Sequence, residues 1–375
     1  MLKFKDILLI GIAALLTACS GDDIKAGGCL EGKDYDPVGT PVQFSVGLEG
    51  KATTRAVMAD GGRFVCTMYY KASEGGDYNI NAPGDGGTMQ TAWLQIYGSG
   101  NAKYMNHSFT ADATSLFWQN RWSHVFLALA DYNKLTTNIG ATSAGGSQGK
   151  LKMYPNNDTY YVEETTQINY YINTYDLTKG ERTSMAEQPD PILAKTIKAP
   201  VGDPSVNVVE LDFKHQFAQI QVNVKNTPAI EASRISKVEL LGVSTEGYVT
   251  TRIDNNGNVS AATYNTVDAN TSFDMFEMAS PADGCLKSFN AIAYGKLVSI
   301  RVTWNDGTGV EVGTDHTPTH TVNITLESGK KYVYNLEISR TAVAGTRGDI
   351  GNRSKTSEEI EIKDIEIINW PVKFE

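Results

Sequence analysis

The sequence predicts an all-β protein built of two tandem antiparallel β-sandwiches. Many short runs alternate apolar and polar residues, turn residues punctuate them, and long helical periodicity is nearly absent. The 375 residues include 35 glycines and 18 tyrosines, a composition that suits turns and half-buried strands. The roughly 330 residues that carry these runs are too many for one small core and point to two domains.

Met1 to Ala18 has the layout of an export signal, residues 1–18. Lys3 and Lys5 supply the positive start, and Ile7–Leu16 is an unbroken apolar run, shorter than the about 20 residues a spanning helix needs. The run ends in Leu16-Thr17-Ala18-Cys19, the pattern of a bacterial lipobox. The Cys19 thiol is the group that takes diacylglycerol before the peptidase cuts on its amino side. Each buried acyl CH₂ contributes about 0.8 kcal/mol, so several chains on Cys19 anchor firmly in outer-membrane lipid. Ser20-Gly21-Asp22-Asp23 resembles the acidic tag that sends lipoproteins of Bacteroidales to the outer cell surface. Residues 19–40 read as a lipidated tether.

Without residues 1–18 the chain carries 31 basic and 42 acidic side chains, a net charge of −11. That balance, with no Lys/Arg run, excludes a nucleic-acid partner. Cys29, Cys66 and Cys285 remain beside the anchor. Their odd number and their spacing match neither a closed disulfide set nor a zinc template.

The first domain is placed at 41–204. Pro41–Leu48 (PVQFSVGL) puts Val42, Phe44, Val46 and Leu48 on one face of a strand. Further strands are expected at Phe64–Tyr70, Trp93–Tyr97 and Val125–Ala130. The proline-flanked stretch Ala199–Pro204 reads as the boundary. The second domain, 205–375, holds expected strands at Val208–Phe213, Ile220–Val224, Lys237–Leu241, Val298–Trp304, Thr321–Leu326, Tyr332–Ile338 and Glu358–Ile368. Turn signals stand at Asn255–Asn258, Asn305–Gly307 and Ser328-Gly329. Ser73–Gly87 and Gly140–Gly149 are glycine-rich and read as loops.

No catalytic constellation, cofactor motif or metal site is expected. His316 and His320 have i,i+4 spacing, which converges on a metal only within a helix, and Pro318 between them argues against one. His215 sits where a strand bends or changes sheet, with local backbone groups as its expected partners. Asp254-Asn255-Asn256-Gly257-Asn258 lacks the glutamate of a calcium loop and reads as a tight turn.

Several segments together resemble the fimbrillin family of Bacteroidales. They are the lipobox followed by a strand and Thr53-Thr54-Arg55-Ala56; Leu116-Phe117-Trp118 with His124–Ala128; Asp190–Ala194 with Val209–Ile220; Gly329–Leu336; and Ile360-Glu361-Ile362 through Asn369-Trp370. The resemblance implies two transthyretin-like sandwich domains, no enzymatic activity, and assembly with other fimbrial subunits into a surface fimbrium. It also implies a trypsin-like processing protease and a host or bacterial surface receptor as partners. Arg55, followed by Ala56, lies among small and β-branched residues, where such a protease grips. A cut there frees the chain from Cys19 and lets the strand within 41–55 leave its sheet, opening a template for another subunit's strand. The run with Ile360, Ile362, Ile365 and Ile367 is the candidate donor, or else it completes its own domain. Only five residues follow Trp370 in the sequence, which leaves stalk, tip and anchor roles open. The competing reading is a surface glycan-binding lipoprotein that stays anchored and uses exposed aromatics as stacking platforms.

Overall fold

A computed structural model describes residues 35–48, 63–78, 89–97, 101–104, 115–131, 172–176, 183–225, 232–244, 246–250, 253–259, 261–264, 266–305, 313–342 and 356–370. Pro37–Glu375 is one compact unit, and its described regular elements are strands and short 3-10 turns. The all-β class agrees with the sequence expectation.

The first sheet contains β1 (Gln43–Leu48), β2 (Arg63–Tyr70), β3 (Met89–Tyr97), β4 (Asn101–Tyr104) and β5 (His124–Asp131). After β6 (Ile172–Asp176), which lies elsewhere, β7 (Pro191–Lys198) and β8 (Val208–His215) complete it. The order β1-β4-β3-β2-β5-β7-β8 closes on itself as a barrel, because β8 pairs with β1. That closing pair is parallel and the other pairs of the barrel are antiparallel. Closure removes the exposed edges of the sheet. Alternation along each strand sends Phe44, Phe64, Phe126 and Phe213 inward. Phe44 meets Phe126 edge-on at 5.7 Å, and Phe64 meets Phe213 at 5.6 Å, the arrangement aromatic quadrupoles favour.

The chain then runs through β9 (Ala218–Lys225), β10 (Ile235–Ser244), β11 (Glu246–Thr250), β12 (Thr263–Tyr264), β13 (Ser272–Asp274) and β14 (Phe276–Glu277). It continues into β15 (Cys285–Asn305), β16 (Asp315–His316), β17 (Thr319–Thr325), β18 (Lys330–Ala342) and β19 (Thr356–Asn369). The 21 residues of β15 change partners midway. Cys285–Ala293 pair with β9, while Tyr294–Trp304 pair with β10. At the change sits Gly295, with φ +93° and the Tyr264 ring 3.1 Å from where a Cβ would stand, so a side chain there would be strained by the backbone and tight against the ring. One layer is therefore β14-β15-β9-β18-β19, the other β13-β10-β15 with β16 and β17. Val222, Phe289, Tyr334 and Leu336 from the first pack with Val238, Leu240, Ile300, Val302 and Trp304 from the second in one buried cluster, as inner faces of a sandwich do. A small third sheet, β12-β11-β6, joins a strand of the first half to one of the second.

The sequence boundary at 199–204 is displaced by the fold. Those residues form the loop between β7 and β8, so strand 208–215 belongs to the barrel. The loop is closed by Asn207, whose side chain holds both the N–H and the C=O of Val201 at 2.9 and 2.8 Å. The sheet changes instead across Gln216-Phe217, between β8 and β9. Phe217 is fully buried, and Val65, Leu129 and Leu193 of the barrel belong to the same cluster as the second core.

Candidate assembly site

Alternation in Pro41–Leu48 seats β1 as expected: Val42, Phe44 and Val46 are only 1–3 % exposed, while Gln43 faces solvent. Leu48 stands in register with Phe213. Six positions of β1 pair with β8, from Gln43↔Val208 to Leu48↔Phe213. On its other side β1 meets β4 at two positions, Phe44↔Ala102 and Ser45↔Asn101. The approach to the strand is also built. The Val42 N–H donates to the Leu116 carbonyl at 2.8 Å, and the Trp118 N–H donates to the Thr40 carbonyl at 3.1 Å. Burying one Val or Phe side chain is worth about 1.5–3 kcal/mol, so these three contribute roughly 4.5–9 kcal/mol.

His124 supports the rim of this seat. Its Nδ1 lies 2.7 Å from the Trp122 carbonyl, and its Nε2 accepts from the Gln119 N–H at 3.3 Å. That pattern fixes the neutral tautomer with the proton on Nδ1. The ring stands perpendicular to Trp118 at 5.0 Å, and Trp118 packs edge-on against Phe126 at 5.5 Å. Burial pushes the His124 pKa down to about 4, against a smaller opposing effect of its bond to Trp122.

The second feature is the β19 edge. This strand pairs antiparallel with β18 along its length. Among the described residues no strand pairs with its other side. Ile360 and Ile362 stand opposite Ile338 and Leu336, and Ile362 packs against the second core. A register shift between Asn335 and Leu336 inserts Lys363. Beyond it Ile365 and Ile367 face Tyr334 and Tyr332 in register, yet they are 48 % and 50 % exposed. The candidate donor run thus pairs with β18 within its own chain.

A third feature joins the two. His215, at the end of β8, places Nδ1 2.8 Å from Oδ1 of buried Asp190. Burial pushes the Asp190 carboxyl up, and His215 pulls it back. The partner of His215 is therefore a carboxylate where the sequence reading expected backbone groups. Trp370, just past β19, stacks on the imidazole at 3.8 Å, and its N–H donates to the Gly329 carbonyl at 2.7 Å. Gly329 in turn donates to Phe217 at 2.9 Å, and Ser328 Oγ donates to the Gln216 carbonyl. The barrel's last strand and the end of β19 meet in this clasp, which sequence spacing does not reveal.

Cys19, Arg55 and Ala56 lie outside the described residues, as does Cys29. Cys66 is buried in β2, where its thiol pKa is pushed up, and Cys285 begins β15. His316 lies on β16 against Trp304 at 4.8 Å, with His320 on β17. Asp254 makes the expected tight turn, accepting from the Asn256 and Asn258 N–H groups at 2.9 and 2.8 Å. Among the described residues no three His, Cys, Asp or Glu side chains converge as a metal site.

Comparison with known proteins gives one family match: a family model described as fimbrillin-like covers residues 71–364. No curated protein matches the sequence. Solved structures match at low identity. A Bacteroides ovatus protein described as a cell adhesion candidate is 18 % identical with a TM-score of 0.48, over 88 % of this chain and 98 % of that one. A fimbrial protein from Bacteroides vulgatus is 13 % identical with a TM-score of 0.41, over 88 % and 99 %. The tip fimbrial protein Mfa3 from Porphyromonas gingivalis is 10 % identical with a TM-score of 0.34, over 88 % and 100 %.

Proposed function

The chain belongs to the fimbrillin-like family, and from that premise we propose that it is a structural subunit or adhesin of cell-surface fimbriae. It is exported as a lipoprotein held in the outer membrane through Cys19. Cleavage between Arg55 and Ala56 by a trypsin-like protease then releases it for assembly with other fimbrial subunits by strand exchange. The observation that carries this reading is the seat of β1. It closes the barrel with three buried side chains, a parallel ladder to β8 and only two pairs to β4. It also precedes the proposed cut by a few residues. Loss of β1 leaves an apolar groove flanked by the free edges of β4 and β8, the two ingredients of strand addition. Among the described aromatics Trp118, Trp304, Tyr69, Tyr332 and Tyr334 are buried and unavailable to a glycan, while Phe117 and Tyr264 are exposed.

The test is electron microscopy of cells expressing wild type, Arg55→Ala or Cys19→Ala. Wild type is expected to give fimbriae whose subunit begins at Ala56. Arg55→Ala is expected to stay on the cell as monomer, and Cys19→Ala to incorporate no labelled palmitate. Fimbriae at wild-type level from Arg55→Ala would overturn cleavage as the trigger.

A further inference from the structure

Five of the nine large apolar side chains exposed among the described residues gather at one end of the barrel. They are Val38, Phe117, Ile197, Val201 and Val206, each 38–52 % exposed. Register brings them together. Gln43 stands opposite Val208, so Pro41 and Val206 both lie two residues before the same rung. Pro41 bridges to Phe117, and Val38 is three residues upstream in the same segment. Asn207 holds Val201 at the base of the β7–β8 loop, and Ile197 is the penultimate residue of β7. We infer that this end of the barrel lies on the surface of the lipid bilayer in the anchored precursor. The inference rests on the proposed anchor at Cys19 and goes beyond it by naming the face that meets the lipid.

Charge and backbone bonding both select lipid as the occupant. Residues 37–43, 115–119 and 199–206 contain one formal charge, Asp203, in a chain whose residues are 20 % charged. Asp36, Arg121 and Lys198 stand just beyond them, and a surface so free of charge loses little hydration on meeting lipid. Its backbone is bonded within itself. Pro37, Pro41, Pro200 and Pro204 have no N–H. The Gly39 and Val42 N–H groups donate to Trp118 and Leu116, both at 2.8 Å, and the Trp118 N–H returns to Thr40. The Thr40 N–H and hydroxyl both donate to the Pro37 carbonyl. In the loop, Asn207 takes up the N–H and C=O of Val201, and its own N–H donates to Pro204. Such a surface leaves water without baring its donors, whereas a partner that added a strand would need free ones. Asp203 is exposed and accepts from the Ser205 N–H and hydroxyl at 2.9 and 2.7 Å. Its charge stops the loop at headgroup depth.

The place where the anchor enters points the same way. Pro37 is the first residue of the compact unit, and it belongs to this surface. A tether that ends here holds these side chains at high effective concentration over the bilayer, so a weak contact suffices. β8 runs away from this end to His215, and β9 of the second sandwich follows. The second sandwich therefore points outward. The start of β1, with the 116–118 segment that holds it, faces lipid and is shielded from other subunits while the anchor lasts.

The test uses residues 19–375 carrying Cys19→Ser, so that no acyl chain contributes, and reads co-sedimentation with phosphatidylcholine vesicles. Half of this protein is expected on the vesicles at about 1 mM lipid or below. Val201→Asp and Val206→Asp are each expected to need at least ~10-fold more lipid, and the uncharged Val206→Ser ~5-fold more. Asp203→Asn should need ~3-fold less. Ile367→Asp alters an equally exposed site on β19 and should stay within ~2-fold of the unsubstituted protein. Unchanged urea midpoints show that each variant is folded. No binding up to ~5 mM lipid, or equal weakening by Ile367→Asp, overturns the inference and leaves the anchor and the fimbrial reading standing. Weaker binding by Asp203→Asn overturns lipid as the occupant. So does a dimer that forms without vesicles and is lost in Val206→Asp, which assigns the surface to a second copy. The anchor itself is read separately, from palmitate incorporation at Cys19.

Discussion

The imidazole of His215 lies flat on the indole of Trp370, ring centres 3.8 Å apart and planes within 1° of parallel. The same imidazole holds the buried Asp190 carboxylate at 2.8 Å. One residue therefore ties the segment before β7, the end of β8 and the end of β19 to a single point.

Removing either partner should be felt, and unequally. His215→Ala leaves the buried Asp190 side chain without its hydrogen-bond partner, at about 3 kcal/mol. Trp370→Ala loses stacking of a half-buried ring, about 2 kcal/mol. Urea denaturation should show this order, and the reverse order would place the energy of the clasp in the stack.

Phe44→Ala is expected to destabilise the precursor by about 3–4 kcal/mol, because it empties a site in contact with Phe126. Gln43→Ala, on the exposed side of the same strand, should change stability by under about 0.5 kcal/mol. Equal effects would contradict the inward orientation of the strand.

His124 makes the barrel acid-sensitive. Its pKa is about 4 in the fold and near 6.5 when unfolded, so between these values the unfolded chain binds the additional proton. Its neutral form contributes fully above about pH 6.5, and the contribution is lost as the pH falls toward 4, about 3 kcal/mol in all. Comparing urea midpoints at pH 7.5 and 4.5 checks this. His124→Asn should lose less stability than wild type between the two, and an equal loss would assign the acid sensitivity elsewhere.

Glu239 adds a second acid step. Arg301 grips both of its oxygens at 2.7 Å, Nε to Oε2 and an Nη to Oε1, with Lys237 2.9 Å from Oε1. These bonds, the Arg301 pair first, lower its pKa to about 2. The stabilisation is present above about pH 4.5 and disappears as the pH falls toward 2. Arg301→Lys keeps the charge but loses the paired geometry, so thermal unfolding at pH 7 should show a loss of about 1 kcal/mol. No change would make the pair a surface contact without net value.

Most strands were legible in the sequence because one face of each is buried and the other wet. Val42-Gln43-Phe44-Ser45-Val46 and the Tyr332–Ile338 run of β18 alternate for that reason. The middle of β15 was not legible: Ala291, Ile292, Ala293 and Tyr294 are buried in succession, which erases the period-2 pattern. The misplaced boundary has a related cause. Proline and glycine mark a break in regular structure, and nothing local distinguishes a hairpin closed by Asn207 from a linker between domains. The β1–β8 ladder and the Asp190–His215–Trp370 clasp join residues far apart in sequence, so periodicity carries no trace of them.

The ladder between β18 and β19 also decides how the molecule yields when pulled. Thirteen register positions run from Lys330↔Asn369 to Ala342↔Thr356. A pull at residue 370 directed along the strand axis loads these bonds together, in shear. The same pull turned sideways opens them one pair at a time, starting at Lys330↔Asn369. Trp370 is pinned at that end by ring stacking and by its bond to Gly329, which is where an opening crack would begin. The clasp is thus a rivet at the end of the seam where a sideways pull would start.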